Sequence, residues 1–336
     1  MDLELFTRRA YVAYAESLGY NVNLFNEATG GAILITTDNS GQMAGGFSEE
    51  AFFGWVDGLI RRRNPAGDAD LTLKQLTNKM DNMIRLAWTT ELLDLSGHWW
   101  DWIGRDNALA AATFGPMLAQ QTLQAYINRS VAILKATVGS NPSTFRDATK
   151  ATTEKRQRIS YSNLVLAADM FGDAADSLNA WIMPRTSRTA LLLNNMNNTE
   201  SLFSFGTVNV TRDVEGRTIV TTDDPNLRDI DQSSGNIDNW ILGLRPGAII
   251  MRELGDFEDL TQKIGGKENI KKTYQAQWST TCNVMGYKYD VAQLRGNTYA
   301  SATDAAIATP ANWSQVTNNH KETAGVALKV RHFIED

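Results

Sequence analysis

Residues 180–195 read AWIMPRTSRTALLLNN, and the blocks after them keep a fixed order: GTVNV at 206–210, EGRTIVTTDDP at 215–225, GLRPGAIIMRE at 243–253 and QWSTTCNVMGYKYD at 277–290. Ala180 to Met183 is a short apolar strand pattern. Thr186 or Ser187 then offers a side-chain oxygen to cap a helix ending near Asn194. Glu215-Gly216 separates two β-rich runs, Thr207 to Thr211 and Arg217 to Thr221, as a hairpin turn does. Ala248 to Arg252 predicts a further strand, Tyr274 to Asp290 a long half-exposed one, and Val326 to Val330 a last alternating one. These blocks are building material: none sets a nucleophile beside a base, a group of metal ligands or a phosphate loop.

Upstream, Leu5 to Leu18 predicts a helix with apolar residues near Leu5, Tyr11, Val12 and Leu18, stopped by Gly19. Ala32 to Thr36 is a strand candidate in a loop-rich stretch, and Leu71 to Trp88 mixes helical and alternating character. The clearest helix runs from Pro116 to Val138, where Leu123, Ile127, Val131, Leu134 and Val138 recur every three or four residues. Pro116 suits its first turn and Gly139 its end. Asn141 to Arg158 is polar and reads as a linker, and Ser162 to Phe171 as a helix ended by Gly172.

At 336 residues the chain has room for about two domains. Its 43% hydrophobic and 21% charged residues are ordinary for a folded protein, and a formal charge of −6 argues against a nucleic-acid clamp. Cys282 is the sole cysteine, which excludes an intrachain disulfide and multi-cysteine metal sites. Gly265-Gly266-Lys267 fails as a phosphate loop, because Glu268 follows it and Thr261 stands where the first glycine belongs. His98, His320 and His332 lack metal-ligand spacing, so no metal, cofactor or catalytic residue is expected. Asp223-Asp224 reads more readily as a strand end before Pro225 than as a catalytic pair. Arg61, Arg62 and Arg63 flank a turn at 64–68, and Trp99, Trp100 and Trp102 cluster around Asp101. Tryptophan and arginine are enriched in interface hot spots, so these six residues are candidate contacts between subunits.

In their order and spacing, the blocks from Pro116 to Asp336 resemble the major capsid proteins of tailed bacteriophages, whose fold is shared with bacterial encapsulins. The likeness is carried by the strand 180–183 with its capped helix, the hairpin 216–225 closing on Asp-Pro, the strand 243–251 after a glycine turn, the strand 278–289, and the segments 301–313 and 326–330. It implies an α+β tailed-phage capsid fold. The parts expected from it are an N-terminal arm (1–46), an extended loop (47–106), a peripheral domain with a long spine helix (107–138 and 266–336) and an axial domain (139–265). It implies a structural subunit, not an enzyme, that self-assembles as hexamers and pentamers into an icosahedral head in the virion, after assembly in the host bacterial cytoplasm. A separate scaffolding protein, a portal, possibly a decoration protein and non-specific proximity to packaged double-stranded DNA follow as expected partners, and no membrane. The alternatives are an encapsulin-like nanocompartment shell, a tail or adaptor ring protein, and a monomeric glycan-binding protein or hydrolase built on Trp99, Trp100 and Trp102 with Asp101 or Asp223.

Overall fold

A computed structural model describes residues 3–37, 46–53, 78–95, 107–194, 200–205, 208–212, 216–230, 235–265, 268, 270–294, 301–317 and 319–332. Helix α1 (Leu3–Ala28) precedes strands β1 (Ile33–Thr36), β2 (Phe47–Phe53), β3 (Asn78–Thr89) and β4 (Leu93–Asp94). Helix α2 (Asn107–Val138) leads to β5 (Phe145–Asp147), α3 (Tyr161–Ala168), β6 (Ala180–Met183) and α4 (Arg185–Asn194). Then come β7 (Glu200–Phe205), β8 (Val208–Arg212), β9 (Thr218–Thr221), β10 (Arg228–Ile230), β11 (Ile237–Leu244), β12 (Ile249–Glu253) and β13 (Glu258–Ile264). The last strands are β14 (Lys271–Val284), β15 (Tyr287–Tyr289), β16 (Trp313–Gln315) and β17 (Gly325–His332).

Two sheets account for all of these strands. The first is organised by β14, which pairs with β13 along Lys271–Gln277, β3 along Gln277–Cys282 and β12 along Thr280–Val284. The second has the order β5-β17-β11-β6-β9-β8-β7, with β10 on the edge of β11. These pairings cut across the division expected at residue 265, since β12 and β13 join the sheet of β14 while β17 joins the sheet of residues 145–244. The segment expected as a linker, 141–158, is built into that second sheet: β5 lies parallel to β17, and Thr144 is fully buried.

The centre of the second sheet is buried on both faces. Ala180, Ile182, Leu242, Leu244 and Ala327 belong to the core shared with α1, α2 and the first sheet. The alternating Trp181, Met183, Ile241, Val326, Leu328 and Val330 belong to a second core with Leu164, Ala167 and Phe171. A strand covered twice reads as a continuous apolar run, which is why 180–183 and 240–244 show no alternation. Gly243 is required at this crossing, because a Cβ there would lie 2.5 Å from the Trp181 ring.

Helix α2, about 48 Å long at 1.5 Å per residue, is the spine between the sheets. Its stripe Leu123, Ile127, Val131, Leu134 and Val138 is buried, as its spacing predicts. It starts at Asn107, so Pro116 is an interior residue rather than a first-turn one. The preceding Gly115 is where α1 crosses: a Cβ on it would come within 2.7 Å of Ala13 Cβ and 2.8 Å of the Tyr14 backbone nitrogen. Helix α1 itself passes through Gly19 and ends at Thr29-Gly30-Gly31, where two positive φ angles, 60° and 72°, turn the chain out of the helix. Its buried face is Phe6, Ala10, Tyr14, Leu18, Val22 and Phe25; Leu5 and Val12, expected on the apolar stripe, point outward, while Tyr11 is partly exposed with its ring 5.0 Å from that of Phe257.

Three further expectations are corrected. The strand predicted from Tyr274 to Asp290 is interrupted at Met285-Gly286, whose glycine takes φ 77°, so β15 folds back on β14. Helix α4 starts at Arg185, so Thr186 and Ser187 sit in its first turn; Asn239 Nδ2 reaches both hydroxyls, at 3.2 and 3.0 Å, and ties the helix to β11. The helix expected to end at Gly172 stops as an α-helix at Ala168, and a 3-10 segment, Asp169–Ser177, bends at Gly172.

Polar links tie α2 to the sheets at two points along its length. Near its C-terminal end, Asp229 accepts from Lys135 Nζ at 2.7 Å and from Trp240 Nε1 at 2.6 Å, and these two partners hold its carboxyl below the ordinary range despite partial burial. Lys135 and Lys329 also lie over the Trp240 ring, 5.1 and 5.6 Å from its centroid. Toward its middle, Trp278 Nε1 donates to the Tyr126 hydroxyl at 2.7 Å, and that hydroxyl donates to Glu253 Oε1 at 2.8 Å. Burial pushes the Glu253 carboxyl above its ordinary value, with the nearby Asp256 adding to the rise.

Two predictions follow from this packing. Gly115→Ala forces α1 away from α2 and lowers unfolding free energy by about 1–3 kcal/mol in urea denaturation; an unchanged midpoint would show that the crossing is looser than described. A raised carboxyl binds more protons folded than unfolded, so its penalty appears as pH rises above the ordinary 4.5 toward the folded value. Glu253→Gln keeps an acceptor for Tyr126 and removes that titration. The stability difference, variant minus parent, should therefore grow as pH is raised from about 4.5; a difference that shrinks over that range contradicts the assignment.

Candidate functional site

The residues with reactive side chains are committed to structure. Cys282 is buried in β14, and desolvation pushes its thiol up to about 12. Asp224 is buried and accepts from the Asn226 backbone N–H at 2.9 Å, capping a 3-10 turn, while Asp223 lies 3.9 Å from Arg228. His320 Nε2 sits 3.2 Å from the Met170 carbonyl oxygen. Among the described residues no three His, Cys, Asp or Glu side chains converge as metal ligands. The Glu253–Tyr126–Trp278 chain opens on a cavity of about 180 Å³ beneath α1, walled by Tyr14 and Phe257; Asp256 and Ser279 also line it, but both are engaged by Arg85 at 2.8 Å. Of the candidate contacts between subunits, Arg61, Arg62, Arg63, Trp99, Trp100 and Trp102 all lie outside the described residues, as do Asp101 and His98.

What the described surface does offer is apolar side chains left uncovered on ordered elements. On α1 Leu5, Val12, Tyr20 and Leu24 are exposed, and on α2 Leu109 and Met117. A second group lies on the arm formed by β13 and β14, where Leu260 is 62% and Ile270 65% exposed. Strand β13 pairs only with β14 among the described strands, which leaves its other edge without a ladder partner there. Open edges and exposed apolar residues on one arm are the surface chemistry of strand addition and subunit contact. Sequence reading missed β13 because EDLTQKI is dominated by polar residues; the only signal was Leu260 and Ile264 at an even spacing.

Against known proteins, residues 2–327 match the family model described as major capsid protein 13-like. No curated protein matches the chain in sequence. Among solved structures, the capsid of Ralstonia phage GP4 is similar at 10% identity, covering 91% of this chain and 88% of that one with a TM-score of 0.56. The capsid of cyanophage Pam1 aligns over 75% of this chain and 84% of that one, at 10% identity and a TM-score of 0.47. The capsid of Helicobacter pylori bacteriophage KHP30 aligns over 90% and 87%, at 7% identity and a TM-score of 0.47. At such identities the likeness to the Ralstonia phage capsid speaks for the fold, an α+β tailed-phage capsid fold, while the family match spans nearly the whole chain. The chain belongs to the major capsid protein 13-like family.

Proposed function

We propose that this structural capsid protein assembles, as hexamers and pentamers of identical copies, into an icosahedral head enclosing phage double-stranded DNA, and that it catalyses no reaction. The observation that carries the reading is the pairing of a well-packed double core with apolar residues left exposed on α1, α2 and the β13–β14 arm. Obligate interfaces commonly bury about 2,000 Å² or more, and such residues are the material for them. On this reading residues 1–46 serve as an arm, 47–106 as an extended loop, 107–138 with the long sheet as the peripheral part and the sheet of β11 and β17 as the axial part. Arg61, Arg62, Arg63, Trp99, Trp100 and Trp102 remain proposed contacts within the loop region. Assembly in the host cytoplasm, with a separate scaffolding protein, a portal and a decoration protein as partners, completes the reading. An encapsulin-like compartment would share the fold but hold a cargo protein in place of DNA.

Electron microscopy of the purified full chain, alone and with the phage's other head proteins, tests this: closed shells or capsomers are expected, and monomers under every condition would overturn it. Leu260→Lys should leave the folded subunit within about 0.5 kcal/mol of the parent, because the side chain is already in water, yet sharply reduce the yield of shells. Shell yields equal to the parent's would remove β13 from the interface.

A further inference from the structure

Between the first turn of α4 and the end of β17 lies a cavity of about 780 Å³, within the size range of small-ligand sites. Its charged lining is lopsided. Among the described residues, Arg158, Arg185, Arg228 and Arg331 face it with His332, against one carboxylate, Asp223. In a chain of formal charge −6 this is a concentrated positive site. We propose that this cavity binds a phosphate-bearing ligand, with Arg185 and Arg228 as its principal anchors.

The existing partners of the arginines decide which are available. Arg158 is joined to Glu154 at 2.8 Å, and Arg331 Nε reaches Asp238 at 3.3 Å. Arg228 is held loosely, 3.9 Å from Asp223. Arg185 is exposed and makes no ion pair among the described residues, though it stands at the first position of α4. A guanidinium offers a planar fork of donors that matches two oxygens of a phosphate, so two loosely held forks can engage one oxyanion.

The remaining wall supplies more donors. The first-turn N–H groups of a helix have no intrahelical acceptor, and the helix end carries partial positive charge. Here that turn is Arg185, Thr186 and Ser187, and the hydroxyls of Thr186 and Thr189 also line the cavity. Asn239, only 1% exposed, donates Nδ2 to Thr186 and Ser187 while its Oδ1 has no hydrogen-bond partner. Turning this amide over would let Oδ1 accept from the same two hydroxyls and place Nδ2 at the unpartnered position. The site field is visible in His332, whose imidazole is held below its ordinary value by burial and by Arg228. A tetrahedral oxyanion uses such a donor set more fully than a carboxylate does. Ile159, Ala190 and Val330 give an apolar floor for the rest of the ligand.

Free phosphate and a nucleic-acid backbone share this chemistry, and the capsid assignment does not depend on either. Calorimetric titration of the full chain with inorganic pyrophosphate, a short thymidine oligonucleotide and an acidic peptide separates the cases. Pyrophosphate should bind, and the double variant Arg185→Ala, Arg228→Ala should weaken it by about tenfold or more. The double variant Arg8→Ala, Arg9→Ala, an equal charge change at exposed positions of α1, should leave binding unaltered. Circular dichroism of the double variant should match the parent. Displacement of pyrophosphate by the oligonucleotide assigns the site to nucleic-acid phosphate; binding of pyrophosphate alone assigns it to free phosphate. Absence of phosphate binding in both forms, a loss no greater than that of the Arg8→Ala, Arg9→Ala control, or equal binding of the acidic peptide overturns the proposal.

Discussion

The fold hangs on the ladder between β11 and β17, eight residue pairs from Ile237–His332 to Leu244–Gly325. Like the neighbouring pairs β6–β11 and β6–β9, it has a hydrophobic core on each side. Every larger feature attaches to it: β6 continues the sheet from β11, β5 continues it from β17, and α2 packs across one face. Desolvating both faces requires every backbone group in the ladder to be paired, since no water can substitute. It also requires the backbones to approach closely around Trp181, which explains a glycine at position 243.

A second dependence is electrostatic. Asp229 draws Lys135 from the spine, Trp240 from β11 and Lys329 from β17 to one carboxylate. The link fixes the end of α2 to the sheet's rim at partly exposed positions, where ion pairs cost little desolvation. By contrast, Glu253 sits deeper, with a hydroxyl as its named partner, and its raised protonation is the physical signature of that difference. One acid holds the two halves together; the other is tolerated beneath α1.

Much of the architecture was legible in the sequence because the responsible forces are local. The spine stripe, the hairpin turn at Gly216, the strand 180–183 and the final strand all follow from periodicity or from a single turn residue. What failed depended on tertiary context. Gly19 did not stop α1, because Leu18 and Val22 on either side of it are packed in the core, and the helix runs on to the positive-φ pair Gly30-Gly31. Leu5 and Val12 are as apolar as the residues that α2 covers, so composition alone does not separate the outer face of α1 from the buried one. Residues 141–158 look like a polar linker until β17 supplies a partner for β5. The arginine cavity was equally invisible, for Arg158, Arg185, Arg228 and Arg331 are scattered in the chain and meet only when α4 docks beside β17.

Strand β17 lies between β5 and β11, yet it leaves the ribosome after both of them. While the chain is being made, the sheet therefore has a gap at its middle, and the greasy faces flanking it cannot be sealed by earlier segments. Completion of the subunit is thereby tied to completion of translation through His332. A half-made polypeptide therefore lacks the ladder that joins β5 to β11, and its double core closes only once β17 has emerged.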